Sequence, residues 1–358
     1  MFSAVCKVAR RAKLLFLLLL SLVLLVWITA FAGSDTVKAI QEGPRLIWGS
    51  AGDLRNINSL LGGGKHDPPS SQLPAASAEK PPRPPLQNCP ERSPLLRGAM
   101  ALSFPPSLSL SDVEEENREQ LSPGGQSQPS DCISRQKVAV LIPHRNREKH
   151  LLYLLHYLHP FLQRQQLNYG IYVIHQAGDV TFNRAKLLNV GYLEALKDQP
   201  WDCFIFHDVD LVPENDLNLY TCHAQQPKHL VVGRNVTGYK LRYKGYFGGV
   251  TAMTKEQFSR VNGFSNGYWG WGGEDDDLRI RVELQKMKIV RPSSEVARYT
   301  MVFHKRDSGN EINKDRMSLL RRTPHMWRSD GLNSCSYKTI SIQKVPLYVN
   351  ITVEIGHP

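Results

Sequence analysis

The sequence lacks two patterns that would assign it to large enzyme classes. It has no P-loop, so the phosphate cradle of P-loop nucleotide hydrolases is excluded. It also has no Cys-x-x-Cys pair, so thioredoxin-type dithiol chemistry is excluded. No internal repeat is present, which argues against solenoids and propellers.

Aromatic residues are scarce between residues 33 and 88. That region instead contains Gly62 to Gly64, Pro68-Pro69 and the proline-rich run from Pro81 to Pro85. Such a composition buries too little apolar surface to order itself, and its prolines make a semi-rigid spacer. We therefore predict a stem over 33–88 and a folded domain over 89–358.

The run from Leu14 to Ala32 has nineteen residues and no charge. That length just spans a bilayer core of about 30 Å as a helix. Four basic residues lie within 1–13, so the positive-inside rule places this tail in the cytosol and the remaining chain in a lumen or outside the cell. A cleaved signal peptide is the alternative, but the run is long for one and no clean Ala-x-Ala site ends it. We expect a signal anchor over 14–32.

Cysteine usage agrees with an oxidising compartment. Beyond the apolar run lie five cysteines, namely Cys89, Cys132, Cys203, Cys222 and Cys335. Two disulfides and one free thiol are the economical arrangement, although sequence alone does not fix the pairing. The sequons at Asn235 and Asn350 are compatible with glycosylation there. The net charge is +11, but a lumenal protein meets no genome, so we expect no nucleic-acid partner.

From residue 137 onward the hydrophobic pattern alternates between strand and helix. Short apolar runs predict strands at 137–143, 170–175 and 201–206. Helical spacing predicts amphipathic helices at 147–166 and 183–197, the first kinked or ended by Pro160. This order predicts an α/β fold with a parallel sheet flanked by helices.

Polar clusters follow the predicted strands, and open α/β sheets bind ligands at the carboxyl ends of their strands. Arg145 and Arg147 have forked donors that suit a diphosphate or a uracil edge, although a solvated basic turn fits equally well. Arg184 lies near a predicted helix N-terminus, a place suited to anions, or is an ordinary surface arginine.

Asp208 and Asp210 follow a buried strand with one residue between them. Alternate strand residues face one side, and two like charges this close favour a divalent cation. Such a cation would neutralise a nucleotide diphosphate as it leaves. His304 is a common type of metal ligand, whereas Met301 taken alone is more typical of a core residue.

The stretch from Gly267 to Asp277 combines four glycines, three aromatics and four consecutive carboxylates. Glycines admit a ligand close to the backbone, and aromatic faces pack against the apolar face of a sugar. Packed carboxylates repel one another unless a proton, a cation or a hydroxyl-rich ligand occupies them. Together they predict a pocket that holds a polyol and removes a proton from it. The alternative is a solvated acidic helix start, which Asp276 and Asp277 fit.

Several motifs resemble the β-1,4-galactosyltransferase family. They are FNRAK at 182–186, HDVDLVPEN at 207–215, YFGGV at 246–250 and GYWGWGGEDDD at 267–277. The similarity runs from about Cys89 to Thr352, and Tyr299 and the tail at Cys335 look most like one particular vertebrate type. The resemblance implies a Golgi type II membrane enzyme with a GT-A fold, a Rossmann-like nucleotide-sugar-binding fold with a mostly parallel central sheet.

The resemblance also implies a reaction. Galactose would move from UDP-galactose to the 4-hydroxyl of terminal N-acetylglucosamine, with inversion and with Mn²⁺ as cofactor. The expected acceptors are glycoproteins, keratan sulfate with 6-sulfated N-acetylglucosamine, and glycolipids.

Residue roles follow from the same motif matches. The implied metal ligands are Asp210, Met301 and His304, which overturns the interpretation of Met301 as a core residue. The implied donor-binding residues are Arg145, Arg147, Phe182, Arg184, Asp208, Gly249 and Trp271, the last on a mobile loop. The implied acceptor-binding residues are Tyr246, Gly273, Glu274, Asp275, Asp276 and Met317, with Asp275 as the base and Glu274 as the second catalytic carboxylate. The implied disulfides are Cys89–Cys132 and Cys203–Cys222.

The chain departs from the milk-enzyme type of this family at two places. Asn235-Val-Thr237 replaces an Asp-Lys-Phe stretch near the donor and the surface that binds α-lactalbumin. Met317 replaces an aromatic that lines the acceptor pocket there, so we expect a different acceptor preference.

Two other functions remain open from the residues themselves. A lumenal lectin would share the aromatics and carboxylates, but it has little use for paired arginines together with Asp208 and Asp210. A sugar-nucleotide hydrolase would release UDP without an acceptor.

Overall fold

The computed structural model describes residues 85–358. The predicted tail, the anchor and nearly all of the stem lie outside the described residues. No helix within 85–358 is both long and apolar enough to span a bilayer.

Helices and strands alternate in the described chain only as far as residue 207, after which several strands follow one another. The helices are α1 Leu110–Asn117, α2 Glu148–Arg164, α3 Arg184–Asp198, α4 Lys255–Arg260, α5 Glu274–Leu284 and α6 Arg316–Met326. The strands are β1 Lys137–His144, β2 Asn168–Gln176, β3 Cys203–His207, β4 Leu211–Pro213, β5 Lys228–His229, β6 Gly233–Arg234, β7 Val250–Thr254, β8 Arg298–Met301, β9 Lys338–Lys344 and β10 Val349–Glu354.

Seven strands form the central sheet in the order β5-β7-β3-β1-β2-β10-β9. Strands β3, β1, β2 and β10 are mutually parallel, whereas β5, β7 and β9 pair antiparallel at the two edges. The expectation of a mostly parallel sheet is therefore confirmed only for the four central strands, because the sheet as a whole is mixed. Strands β9 and β10 form a hairpin, a short connection that only antiparallel neighbours allow.

The predicted strands and helices of the first half are present. Seven of the eight residues of β1 are buried, as expected for a strand covered on both faces. Helix α2 continues through Pro160 to Arg164, so the prediction that Pro160 ends the helix is wrong. Phe161 and Leu162 are fully buried, and their burial stabilises the last turn despite the lost backbone donor.

The core has one apolar layer on each face of the sheet. Leu154, Leu158 and Phe161 of α2 pack with Val140 and Ile142 of β1. Leu187 and Leu188 of α3 pack on the other face with Leu141, Ile174 and Phe204. Because side chains alternate along each strand, both layers hold β1, β2 and β3 in place and fix where their carboxyl ends emerge.

A second, three-stranded sheet has the order β4-β8-β6. Strand β4 pairs antiparallel with β8, and Leu211 lies opposite Met301. Two disulfides, Cys89–Cys132 and Cys203–Cys222, confirm the pairs that the resemblance implied, and Cys335 has a free thiol.

A buried ion pair joins α5 to its surroundings. Arg281 is fully buried and donates from Nε to Asp277 Oδ1 at 2.5 Å. Asp277 Oδ2 also accepts hydrogen bonds from Tyr268 and from Thr323 of α6. Arg281 donates further to the carbonyl oxygen of Asp330 at 2.7 Å. The ion pair thus holds the glycine-rich loop before α5, through Tyr268, and helix α6, through Thr323.

We predict that Arg281→Met lowers the free energy of unfolding by about 3–5 kcal/mol, because the Asp277 carboxylate stays buried without its cation. Urea denaturation followed by circular dichroism measures this loss. The control is Arg118→Met, whose partner Glu115 is 65% exposed, and which should leave stability almost unchanged. Equal losses in the two variants would contradict the prediction.

Candidate active site

A cavity of about 580 Å³ opens where β1 and β3 end. It collects residues that are far apart in the sequence, which is why it is the candidate site. The predicted residues that line it are Arg145, Arg147, Phe182, Arg184, Asp208, Asp210, Tyr246, Trp271, Gly273, Glu274, Asp275, Asp276, Met301, His304 and Met317. Gly249 is not among the lining residues: its φ of +84° turns the chain into β7, and a Cβ there would lie 3.6 Å from the hydroxyl of Tyr246, which does line the cavity.

Two of the three side chains implied as metal ligands meet at one corner of the cavity, and the third, Met301, lines the same cavity while it packs against the hydrophobic core. His304 Nε2 lies 3.1 Å from Asp210 Oδ2. The β4–β8 pairing brings Met301 beside them, and the Val302 amide donates to the Asp210 carbonyl oxygen at 2.9 Å. The corner therefore depends on β8 being paired in this register.

The donors at this corner fit one divalent cation. Within 85–358, no group of three or more His, Cys, Asp or Glu side chains suits a metal, and the donors here are one carboxylate, one imidazole and one thioether. The separation of 3.1 Å between Asp210 Oδ2 and His304 Nε2 is ordinary for two ligands of one ion. Carboxylate and imidazole suit Mn²⁺ and related ions, whereas a thioether is a soft and unusual ligand for them.

Arg145 and Arg147 contact protein groups in the structure. Arg147 forms an ion pair with Asp307, lies 2.7 Å from His304 Nδ1 and donates to the carbonyl oxygen of Lys305. Arg145 donates to the carbonyl oxygens of Val180 and Gly309 at 2.5 and 3.0 Å. The forked donors expected to grip a diphosphate therefore hold the segment 304–309, and through it His304.

Arg184 lies between three carboxylates. Its Nε donates to Asp208 Oδ1 at 2.6 Å, and its Nη1 lies 3.0 Å from Asp275 Oδ1 and 3.7 Å from Glu274 Oε1. The sequence predicted that Asp208 and Asp210 share one cation, but Asp208 pairs with Arg184 and Asp210 faces His304. Strand β3 ends at His207, so strand alternation does not extend over these two aspartates.

Burial and crowding make these carboxyl groups unusually basic. Burial raises the pKa of Asp208 to about 6, although Arg184 opposes the shift. Burial also raises the pKa of Asp275 well above its ordinary value, again opposed by Arg184 and reinforced by Glu274 and Asp208. An aspartate with such a raised pKa is suited to accept a proton near neutral pH.

Glu274 has one carboxylate oxygen without a partner. Its Oε2 is buried and makes no hydrogen bond. A buried acceptor of this kind is costly unless a donor reaches it, so the oxygen marks a place for a ligand hydroxyl or amide.

The loop with Trp271 is paired to a later segment. The Trp271 amide donates to the Glu311 carbonyl oxygen at 2.8 Å, and the Asn313 amide donates to Trp271 O at 3.1 Å. Gly270 permits this approach, because a Cβ there would lie 2.6 Å from Glu311 O. The indole lies against two guanidinium groups, those of Arg242 and Arg306.

The acidic run divides between the cavity and the core. Asp276 lines the cavity and accepts a hydrogen bond from Tyr243 at 2.9 Å, whereas Asp277 pairs with Arg281 in the core. Both residues lie in the first turn of α5, but the interpretation as a solvated helix start is wrong for Asp277, which is buried, and does not account for Asp276, which lines the cavity. The sequence did not single out Tyr243, which lies three residues before the YFGGV motif, or Gly248 within that motif, against which Asp275 packs.

Two other sequence patterns have structural explanations. Gly263 to Gly267 matches Gly-x-Ser-x-Gly, but Ser265 is buried and donates to Asp330, so it is no exposed nucleophile. The first sequon residue, Asn235, is exposed, and its Oδ1 accepts from the Met301 amide at 2.9 Å. Asn350 lies in β10 between β2 and β9 and is half-buried.

We predict that Arg184→Leu destabilises the metal-free protein more at pH 8 than at pH 5. Without the guanidinium, the folded-state pKa values of Asp208 and Asp275 rise further, and a raised carboxyl pKa removes stability as pH increases. Urea denaturation in EDTA at both pH values measures the loss. Arg184→Lys keeps a cation and serves as the control, and a pH-independent loss in Arg184→Leu would contradict the prediction.

Two family models match the described chain. The N-terminal region of glycosyl transferase group 7 matches residues 89–223. The N-terminal domain of galactosyltransferase matches residues 228–305. Both ranges lie within the domain that contains the cavity.

Full-length relatives and solved structures agree with these matches. Beta-1,4-galactosyltransferase 4 of Homo sapiens is 57% identical over 99% of this chain and 98% of its own length. Beta-1,4-galactosyltransferase 3 of Homo sapiens is 54% identical over 80% of this chain and 72% of its own. A crystal structure of a Drosophila beta-1,4-galactosyltransferase 7 mutant with manganese, UDP-Gal and xylobiose has a TM-score of 0.54, 27% identity and coverage of 62% of this chain and 95% of that one. The chain therefore belongs to the β-1,4-galactosyltransferase family and is a glycosyltransferase with a GT-A-like fold around a mixed central sheet.

Proposed function

We propose that this enzyme transfers galactose from UDP-galactose to the 4-hydroxyl of a terminal N-acetylglucosamine. The observation that carries the proposal is the half-buried carboxylate of Asp275, which Arg184 holds in the cavity with a raised pKa. The names of the relatives and the UDP-Gal in the Drosophila structure support the reaction class and the donor. Neither a lectin nor a hydrolase is favoured, because the relatives are named as transferases.

In the proposed reaction, Asp275 accepts the proton of the acceptor 4-hydroxyl as that oxygen attacks the anomeric carbon of galactose. The bond between that carbon and the UDP oxygen breaks, and UDP leaves with the electron pair. A single displacement of this kind inverts the anomeric centre. The unpartnered Oε2 of Glu274 accepts a hydrogen bond from the acceptor, and Asp276 orients a second polar group.

Asp210, Met301 and His304 would hold the proposed Mn²⁺, which when bound supplies positive charge to the departing diphosphate. Arg147 keeps His304 in place through the segment 304–309. The pairing of Trp271 with residues 311–313 covers the cavity and excludes water that would hydrolyse the donor. Arg145, Phe182 and Gly249 complete our proposed donor side, and Tyr246, Gly273 and Met317 the acceptor side.

The acceptor and the compartment are also proposals. The tail residues resemble type 4 of the family. We therefore propose that the acceptors are glycoproteins, keratan sulfate with 6-sulfated N-acetylglucosamine, and glycolipids, and a panel of these acceptors with UDP-galactose compares them.

We propose that residues 89–358 lie in the Golgi lumen behind the stem and the anchor 14–32. The two disulfides support this oxidising compartment. Glycosidase treatment that removes glycans from Asn235 or Asn350 would test the lumenal location. Membrane association that resists carbonate extraction would test the anchor.

We predict that Asp275→Asn lowers kcat by about 10²–10⁴-fold, because the amide cannot accept the proton. Binding of UDP-galactose with Mn²⁺, measured by calorimetry, should persist because Asp275 is placed at the acceptor side. The control is Glu283→Gln on the same helix, where the carboxylate is 56% exposed. Near-normal turnover in Asp275→Asn would remove Asp275 from the role of base, and UDP release without acceptor by the wild-type enzyme would indicate a hydrolase.

A further inference from the structure

The carboxylate of Asp275 packs directly on the backbone of Gly248. A Cβ built on Gly248 would lie 2.1 Å from Asp275 Oδ2 and 2.7 Å from its Cγ. No side chain larger than hydrogen fits between them, so the position of this peptide limits where the carboxylate can lie. Gly248 belongs to the turn 246–249, which also carries Tyr246 into the cavity wall.

One buried imidazole holds this turn from behind. His229 is fully buried in β5, and its Nε2 lies 2.8 Å from the carbonyl oxygen of Gly248. A carbonyl oxygen only accepts hydrogen bonds, so Nε2 is the protonated nitrogen of the ring. The His229 backbone is fixed too, since its amide donates to the Val290 carbonyl oxygen at 2.9 Å.

Arg291 completes the arrangement from the residue after Val290. Its Nε donates to His229 Nδ1 at 3.1 Å, which that nitrogen can accept because the proton is on Nε2. Its Nη2 donates to the Tyr246 carbonyl oxygen at 2.7 Å. Burial lowers the pKa of His229 to about 3, so the ring stays neutral and keeps one donor and one acceptor. The two side chains thus hold both ends of the segment 246–248.

We propose that His229 and Arg291 are positioning residues for the transfer reaction, which fix the Gly248 peptide and through it the Asp275 carboxylate. Neither residue is among those that line the cavity, so neither contacts the substrates. The inference rests on the proposed role of Asp275 as base. Each ring nitrogen of His229 makes one of the two hydrogen bonds, so the two contacts can be separated by mutation.

Two substitutions at His229 separate the two contacts. Glutamine places an amide near the position of Nε2, so His229→Gln keeps a donor for Gly248 O and loses the acceptor for Arg291. Asparagine places its amide near Nδ1, so His229→Asn keeps the contact with Arg291 and loses the donor to Gly248. Both remove the ring from the same buried space, so each is the matched control of the other.

We expect His229→Asn to lower kcat by about 10- to 100-fold, because a misplacement of about 1 Å at the reacting groups costs up to that much. His229→Gln should stay within about threefold of wild type. The KM for UDP-galactose should change little in either variant. In His229→Asn the acid limb of the profile of kcat against pH should also move, because the surroundings of Asp275 change.

A merely structural role gives a different result. Both variants would then lose activity in proportion to the folded fraction, with an unmoved acid limb, and this outcome would overturn the inference. Wild-type kcat in His229→Asn would also overturn it. If Asp275→Asn is inactive while His229→Asn is normal, only the positioning inference fails, whereas an active Asp275→Asn defeats the assignment of the base itself.

Gly248→Ala provides the test if neither histidine variant folds. Gly248 has an ordinary φ, unlike Gly249, so alanine is compatible with the backbone while its methyl group displaces the Asp275 carboxylate and presses on the Tyr246 ring of the proposed acceptor side. We expect a similar loss of kcat and a moved acid limb with the donor KM retained. A Gly248→Ala enzyme with wild-type kcat and profile would overturn the inference.

Discussion

The contact between His304 and Asp210 is the interaction on which the rest of the site depends. It joins the end of β3 to a residue 94 positions later in the chain. Once His304 is held there, Arg147 and Arg145 fix the segment 304–309, and residues 311–313 pair with the loop of Trp271. The residues proposed for the donor side and for the acceptor side thereby line one cavity. A cation that draws Asp210 and His304 together would reinforce every one of these contacts.

The second constraint is the crowding of carboxylates around Arg184. Three acidic side chains share one guanidinium, so the cluster is short of positive charge. Burial then raises the pKa of Asp275 instead of leaving it fully ionised. The same arrangement that opposes stability at high pH thus raises the pKa of the aspartate that we propose as the base of the transfer step. Folding and chemistry are linked here through the protonation of one aspartate.

The sequence predicted the parallel centre of the fold well and its edges poorly. Strands β1, β2 and β3 are buried on both faces and leave continuous apolar runs, so their positions were predicted within a few residues. Strand β5 has only two residues, and β9 is largely exposed, so neither leaves a periodic pattern. Strand direction is not encoded in such patterns, which is why the mixed sheet was not foreseen.

The residues of the site also divide into those that the sequence revealed and those that only the structure shows. The consecutive carboxylates from Glu274 and the glycines before them were visible in the sequence, because that combination serves few structural purposes. The contacts of Arg145 and Arg147 with the segment 304–309 were not, since that segment lies more than 150 positions later. In the sequence, His229 resembles any core histidine. Only its hydrogen bonds with Gly248 and Arg291 in the structure distinguish it.

The most direct test of the central claim is thermal unfolding with UDP in the presence and absence of Mn²⁺. A ligand at one hundred times its Kd stabilises the folded state by about 2.7 kcal/mol, which is an easily measured shift in Tm. We expect that UDP raises Tm only with Mn²⁺, and that His304→Ala abolishes the shift. An equal shift with UDP alone, or an undiminished shift in His304→Ala, would contradict it.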